Sequence, residues 1–288
     1  KDLESATILG RFENQMVLFN AVDNLANELS PASVEIGTGG IFAKRPIDFK
    51  STDLGFAGTQ NYEMVSTPFG HFTVDAKKGK IFMLDQTGRD LQPISDFIGG
   101  KPSGMKNWFR EQLPFKILKY LPELDIDNNF KGIGLTMGWD ARFDRVFFTK
   151  RDYILKTGVN KDLFTINTQG DLLYKNTVVY FDNTSLFEDV SWTIAYKVTE
   201  GSWISYYSFT PDYYTAHHDY FQTGLNINGS LWTHLLNNNS FQVFYGQKKP
   251  WIVEVPIQNQ NVNKTLTAIE LQIEAKRWQN DWDYSQHK

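Results

Sequence analysis

Asp75-Ala-Lys-Lys-Gly79-Lys-Ile-Phe82 and Asp140-Ala-Arg-Phe-Asp144-Arg-Val-Phe147 align without a gap, at an offset of 65 residues. Each reads as a strand end, a four-residue turn, a basic residue and an apolar pair. Around the first copy, Gly70–Val74, Lys80–Leu84 and Asp90–Ile94 alternate or run apolar between Lys77-Lys78-Gly79 and Gln86-Thr87-Gly88. That pattern predicts three short antiparallel strands. Around the second copy, Ile133–Trp139 and Arg145–Thr149 predict the same hairpin. A looser third copy leads from Trp192–Tyr196 through Thr199-Glu200-Gly201 into Ser202–Tyr206, and a fourth pairs Leu231–Leu235 with Phe241–Tyr245. Repeated hairpins cannot bury their apolar faces singly and must stack. The expectation is a mainly β chain of antiparallel β-propeller-like blades with a short helical insertion. The plainer alternative is that Asp-x-x-x-Gly/Asp-Lys/Arg is a good hairpin turn used twice in an ordinary β protein.

Met105–Leu121 carries Trp108, Phe109, Leu113, Phe115, Ile117, Leu118 and Leu121 at helical spacing, split by Pro114 and closed by Pro122. It predicts a broken helical insertion near residues 104–122. Upstream, Met16–Leu29 places Val17, Leu18, Ala21, Val22, Leu25 and Leu29 at helical spacing and predicts one amphipathic helix. Downstream, Leu266–Glu274 alternates as a strand before a polar tail holding Trp278, Trp282 and Tyr284. The expected organisation is residues 1–50 as an N-terminal helix with connecting strands, 51–257 as blades, and 258–288 as a C-terminal strand and polar tail. The first residue is Lys1, so the chain is expected to be a segment of a longer protein.

The 288 residues are 41% hydrophobic, enough for a sizeable core without staples, and there are no cysteines to form disulfides or thiolate metal sites. A net charge of −4 gives no basic footprint for wrapping nucleic acid. The longest apolar runs fall far short of a bilayer span. His217-His218-Asp219 lacks a clear third metal ligand, and Asp125-Ile-Asp127-Asn128-Asn129 lacks the glycine and the terminal acid of a calcium loop. Asp75 and Asp140 share one setting, as turn residues accepting backbone hydrogen bonds, which explains them better than a catalytic pair. No nucleophile with its base is specified, so the chain is expected not to be an enzyme and to need no cofactor.

Aromatic residues concentrate between Tyr196 and Trp251. Trp203, Tyr213, Tyr214, Tyr220 and Trp232 are candidate ligand or interface aromatics with two readings: packing, within blades or at subunit seams, or, for Tyr213, Tyr214 and Tyr220 near the Pro211-Asp212 turn, a glycan-stacking platform. The repeat turns Asp75, Gly79, Asp140 and Asp144 complete the set of singled-out residues.

Three runs carry a family resemblance: Met64-Val-Ser-Thr-Pro-Phe-Gly-His-Phe-Thr-Val-Asp-Ala-Lys-Lys-Gly-Lys-Ile-Phe82, Gly104-Met-Lys-Asn-Trp-Phe-Arg110, and Trp203-Ile-Ser-Tyr-Tyr-Ser-Phe-Thr-Pro-Asp-Tyr-Tyr214. They resemble the tail proteins of crAss-like bacteriophages, in particular the large muzzle, or nozzle-type, component, over about Ser51 to Trp251. The resemblance implies a virion structural protein at the distal end of a short tail, arranged as a ring around the channel through which DNA leaves. Its implied partners are other copies of itself, other tail proteins, DNA in transit and a host surface glycan or receptor; its implied location is the virion tail. The mild acidity suits such a channel, because a wall that does not attract phosphates does not retard DNA.

Overall fold

The computed structural model describes residues 2–3, 7–12, 15–20, 22–25, 34–37, 46–48, 64–86, 90–126, 128–216, 220–225, 229–234, 242–250 and 252. Residues 1–249 form one compact unit and 250–288 a second. The predicted strand at Leu266–Glu274 and its polar tail lie outside the described residues.

The first unit begins with strands Asp2–Leu3 (β1), Thr7–Phe12 (β2) and Gln15–Asn20 (β3). Val22–Leu25 (β4) pairs with Val34–Gly37 (β5), and Ile47–Asp48 (β6) joins β3, giving a first sheet of order β1-β2-β3-β6. Where residues of the helix expected over Met16–Leu29 are described, in Gln15–Asn20 and Val22–Leu25, they are strands. A short apolar run fits helical and extended periods equally, and the pairing Phe12↔Gln15 closes a hairpin over two residues. That pairing decides the outcome.

Met64–Thr67 (β7), Gly70–Asp75 (β8), Lys80–Leu84 (β9) and Leu91–Gln92 (β10) form a second, meandering sheet. A small hairpin, Phe97–Ile98 (β11) with Lys101–Pro102 (β12), precedes the one α-helix among the described residues, Lys106–Gln112 (α1). The helix stops two residues before Pro114, and a 3₁₀ turn resumes at Ile117–Lys119, as the broken pattern predicts.

Gly134–Asp140 (β13) and Arg145–Arg151 (β14) open the third sheet, which leaves the chain for an insertion before finishing. The insertion holds Tyr153–Leu155 (β15), Phe164–Ile166 (β16), Leu172–Tyr174 (β17), Thr177–Val178 (β18) and Phe187–Asp189 (β19). Trp192–Lys197 (β20) and Ser202–Tyr207 (β21) complete the order β13-β14-β20-β21. Tyr213–Ala216 (β22), Phe221–Leu225 (β23) and Ser230–His234 (β24) form a fourth sheet. Val243–Phe244 (β25) pairs with Gln247–Lys248 (β26) rather than with β24, so the fourth expected hairpin does not form as drawn.

The sheets are joined by three apolar layers, each set by the period-2 alternation of strands. Leu9 and Leu18 of the first sheet meet Leu84 of the second. Phe72, Val74 and Ile81 of the second sheet meet Val146, Phe148, Ile194 and Tyr196 of the third, with Phe109 and Leu113 from the helical insertion in the same core. On the other face of the third sheet, Phe147 and Ala195 meet Phe209 and Phe221. Strand β14 is thus buried on both faces, which explains its run of five buried residues. Strand β13 lies against β7 of the second sheet and β22 of the fourth, so the first strands of three consecutive sheets are neighbours.

The matched turns share one geometry. Asp75↔Lys80, Asp140↔Arg145 and Lys197↔Ser202 each close four residues, and the last of the four is left-handed: Gly79 at φ 66°, Asp144 at 49° and Gly201 at 59°. The pairing Leu225↔Ser230 closes a fourth such loop ending in Gly229 at 63°. Glycine and aspartate recur there because few other residues tolerate that backbone. The carboxylates work as turn acceptors: Asp75 Oδ1 accepts from Lys78 N at 2.9 Å, and Asp140 Oδ1 accepts from Arg142 N at 3.2 Å. However, the first turn joins the second and third strands of its sheet, and the second joins the first and second. The match marks a turn type, not a fixed place in a repeated blade.

Candidate functional site

The aromatic residues singled out in the sequence do not converge. Trp203 lies in the main core, 4.6 Å from the Phe109 ring and 5.1 Å from Tyr196, and its indole donates to the Ile94 carbonyl at 3.2 Å. Tyr214 stacks 5.4 Å from Phe221 and 6.1 Å from Phe147, on the opposite face of the third sheet. It covers Gly138, where a Cβ would collide with its ring, and its hydroxyl is hydrogen-bonded to Thr149. Tyr213, its neighbour on β22, faces the other way and lies across Gly224. Trp232 is half-buried, 5.8 Å from Tyr245, and Tyr220 is exposed. Asp75 and Asp140 are both buried in their turns, and Asp140 also accepts from Arg145 Nε at 2.8 Å. His217-His218-Asp219 lies outside the described residues. Asn128, in the segment rejected as a calcium loop, caps a 3₁₀ turn by accepting from Lys131 N.

Side chains of varied chemistry gather instead at the end of the third sheet remote from the turns at 141–144 and 198–201. The register Gly134↔Arg151 places the start of β13 beside the end of β14 there, and the insertion folds across them. The result is a cleft of about 410 Å³, within the range of small-molecule sites. Its walls include Leu124, Ile133, Leu172, Val179 and Phe181. Tyr153 stacks on Phe181 with ring centroids 4.7 Å apart and planes 10° apart.

The polar groups of the cleft are arranged around two cations. Arg151 donates from Nη1 to buried Asp212 and from Nη2 to the Tyr153 hydroxyl at 2.9 Å, while its buried Nε has no acceptor among the described residues. Burial pushes the Tyr153 hydroxyl above its usual range, so it stays protonated and can donate while accepting from Arg151. Lys131 Nζ donates to Gly170 O at 2.6 Å and Asp171 Oδ1 at 3.0 Å, and that bond holds the Asp171 carboxyl below its usual range. Asp125 and Asp182 are exposed on the same rim, and Tyr180 is 69% exposed. Both cations are therefore neutralised within the protein, and the remaining character is apolar wall, hydrogen-bond donor and carboxylate. The sequence reading missed this site because its parts come from six separate segments; the only local signal is the Lys150-Arg151-Asp152 run that ends an otherwise apolar strand.

A second polar centre lies at the same end of β14. Lys150, 1% exposed, donates to Asp152 Oδ2 at 2.6 Å, Gln112 O at 2.7 Å and Pro114 O at 2.8 Å. Burial pulls its ammonium down to about 8 against the opposing pull of Asp152. All three donors are satisfied, which suits a structural tie between β14 and the end of α1.

No family model matches the chain, and no curated protein matches it. Among solved structures, the crystal structure of Porphyromonas gingivalis dipeptidyl peptidase 4 aligns at 9% identity with a TM-score of 0.27, over 81% of this chain and 38% of that one. The chain thus spans well under half of that neighbour's length.

Proposed function

We infer that this chain is a non-catalytic virion structural protein, part of the distal tail muzzle of a short-tailed phage, acting in a ring around the DNA exit channel. The three runs resembling crAss-like tail proteins suggest the family. The architectural part rests on one observation: four sheets stack in chain order, and β7, β13 and β22, the first strands of three of them, lie side by side. Sheets meeting face to face with their first strands adjacent is how propeller blades pack, so propeller-like blades are the reading proposed for these sheets. Partners on this reading are other copies and other tail proteins, with DNA passing through and no cofactor. No helix among the described residues is long and apolar enough to cross a membrane.

The test is electron microscopy of the full-length protein. A closed ring around a channel is the expected result; a monomer that stays monomeric at high concentration would sink the reading. A second reading, a carbohydrate- or receptor-binding β module, is favoured by the cleft beside Arg151, which places hydrogen-bonding groups and an exposed tyrosine around an apolar wall.

A further inference from the structure

We propose that the cleft between the insertion and the end of the third sheet binds an N-acetylated amino sugar. Three features of the cleft select this chemistry. Because Asp212 already neutralises Arg151, the remaining guanidinium donors suit a neutral acceptor, such as an amide carbonyl, rather than an anion. The Tyr153 hydroxyl, protonated and already accepting from Arg151, offers one more donor beside it. Around these donors stand Ile133, Leu172 and Phe181, an apolar surface that fits the methyl group of an acetamide.

At the rim the chemistry changes to match the rest of a sugar. Asp182, exposed and without a hydrogen bond or ion pair among the described residues, offers two oxygens to neighbouring hydroxyls. Tyr180, largely exposed, offers a flat apolar face on which the C–H side of a pyranose ring can rest. A free cation is the competing ligand, since the wall carries Asp125, Asp171, Asp182 and Asp212 against Lys131 and Arg151. Lys131 is paired with Asp171 and Arg151 with Asp212, and Asp182 stands exposed at the rim. A cation would be held at the mouth and gain nothing from that floor; an acetamide uses both.

The assignment does not depend on the tail reading, because ring assembly and sugar binding can each succeed or fail alone. The experiment is ligand-observed NMR on the whole chain with N-acetylglucosamine, glucosamine and methyl glucoside at millimolar concentration. Expected is binding of N-acetylglucosamine, about tenfold weaker binding of the two sugars lacking the acetyl group, and roughly fivefold loss in both Tyr180→Ala and Asp182→Asn. Both substitutions are at exposed positions, and circular dichroism checks that each variant is folded. Glucosamine binding as tightly as its acetylated form would show cation selection and overturn the proposal. So would no binding by any of the three, or loss on Tyr220→Ala with Tyr180→Ala silent, which would move the sugar to the surface around Tyr220.

Discussion

Lys150 and Asp152, two residues apart at the end of β14, form an ion pair at 2.6 Å in which both side chains are essentially without solvent. Asp152 also accepts from Lys116 N at 2.7 Å and Ile117 N at 3.3 Å, so the pair ties the third sheet to the chain leaving α1. Replacing one partner strands a buried charge, whereas replacing both with groups of similar shape does not. Lys150→Met is expected to lower stability by about 3–5 kcal/mol, with much of that recovered in Lys150→Met/Asp152→Asn. Urea denaturation of the two variants checks this, and additive losses would contradict it.

Gly79 and Asp144 occupy the same left-handed place in two turns, yet they should respond in opposite directions. A Cβ on Gly79 would lie 2.6 Å from Arg110 Cα, so Gly79→Ala carries both backbone strain and a clash with the backbone of α1. A loss of about 3 kcal/mol is expected. Asp144→Gly relieves the strained backbone at φ 49° and keeps the carbonyl that accepts from Val198 N. Its effect should fall between neutral and about 1 kcal/mol of stabilisation. Equal losses in the two variants would mean that the shared geometry is not what sets either residue.

His234 packs 4.9 Å from Phe209 and is hydrogen-bonded to Thr223 at 2.8 Å. Burial, helped by Arg145, pulls its pKa down to about 4. The unfolded chain takes up this proton near 6.5 while the folded one resists until about 4, so stability falls as pH drops through that window. The loss should be on the order of 2 kcal/mol between pH 7 and pH 4.5. Comparing urea midpoints for wild type and His234→Gln isolates it: the variant should lack this part of the slope, and parallel pH profiles would refute the assignment.

Tyr214 separates packing from ligand binding. Tyr214→Phe keeps the stack on Phe147 and Phe221 but removes the bond to Thr149, for an expected loss of about 1–2 kcal/mol. Tyr214→Ala empties the layer between the third and fourth sheets and should cost about 3–5 kcal/mol. Thermal melts measure both. Neither substitution should change sugar binding in molecules that remain folded.

Much of this was legible in the chain itself. Lys80–Leu84 and Arg145–Thr149 read as strands because apolar residues fill them between strong turn signals, and Pro114 announced the break after α1. Met16–Leu29 misled because Val17, Leu18 and Val22 satisfy a helical stripe while the deciding contact, the pairing with Thr7–Phe12, lies outside the window. The 65-residue match was real as turn chemistry but stood at different strands of its two sheets. Tyr214 and Trp203 announced burial without announcing which face. The cleft was invisible because Lys131, Arg151, Tyr180 and Asp212 meet only after the insertion has folded back.

That insertion leaves the third sheet after Arg151 and returns at Trp192, and its own stem pairs Tyr153↔Asp189 and Leu155↔Phe187. Since Lys150 and Trp192 are cross-strand partners, departure and return are one strand spacing apart. In evolutionary terms, residues 156–186 form a cassette on a fixed stem. Their length and composition can drift while the ladder beneath stays in register, so the wall of the cleft can change its ligand without renegotiating the sheets that hold it.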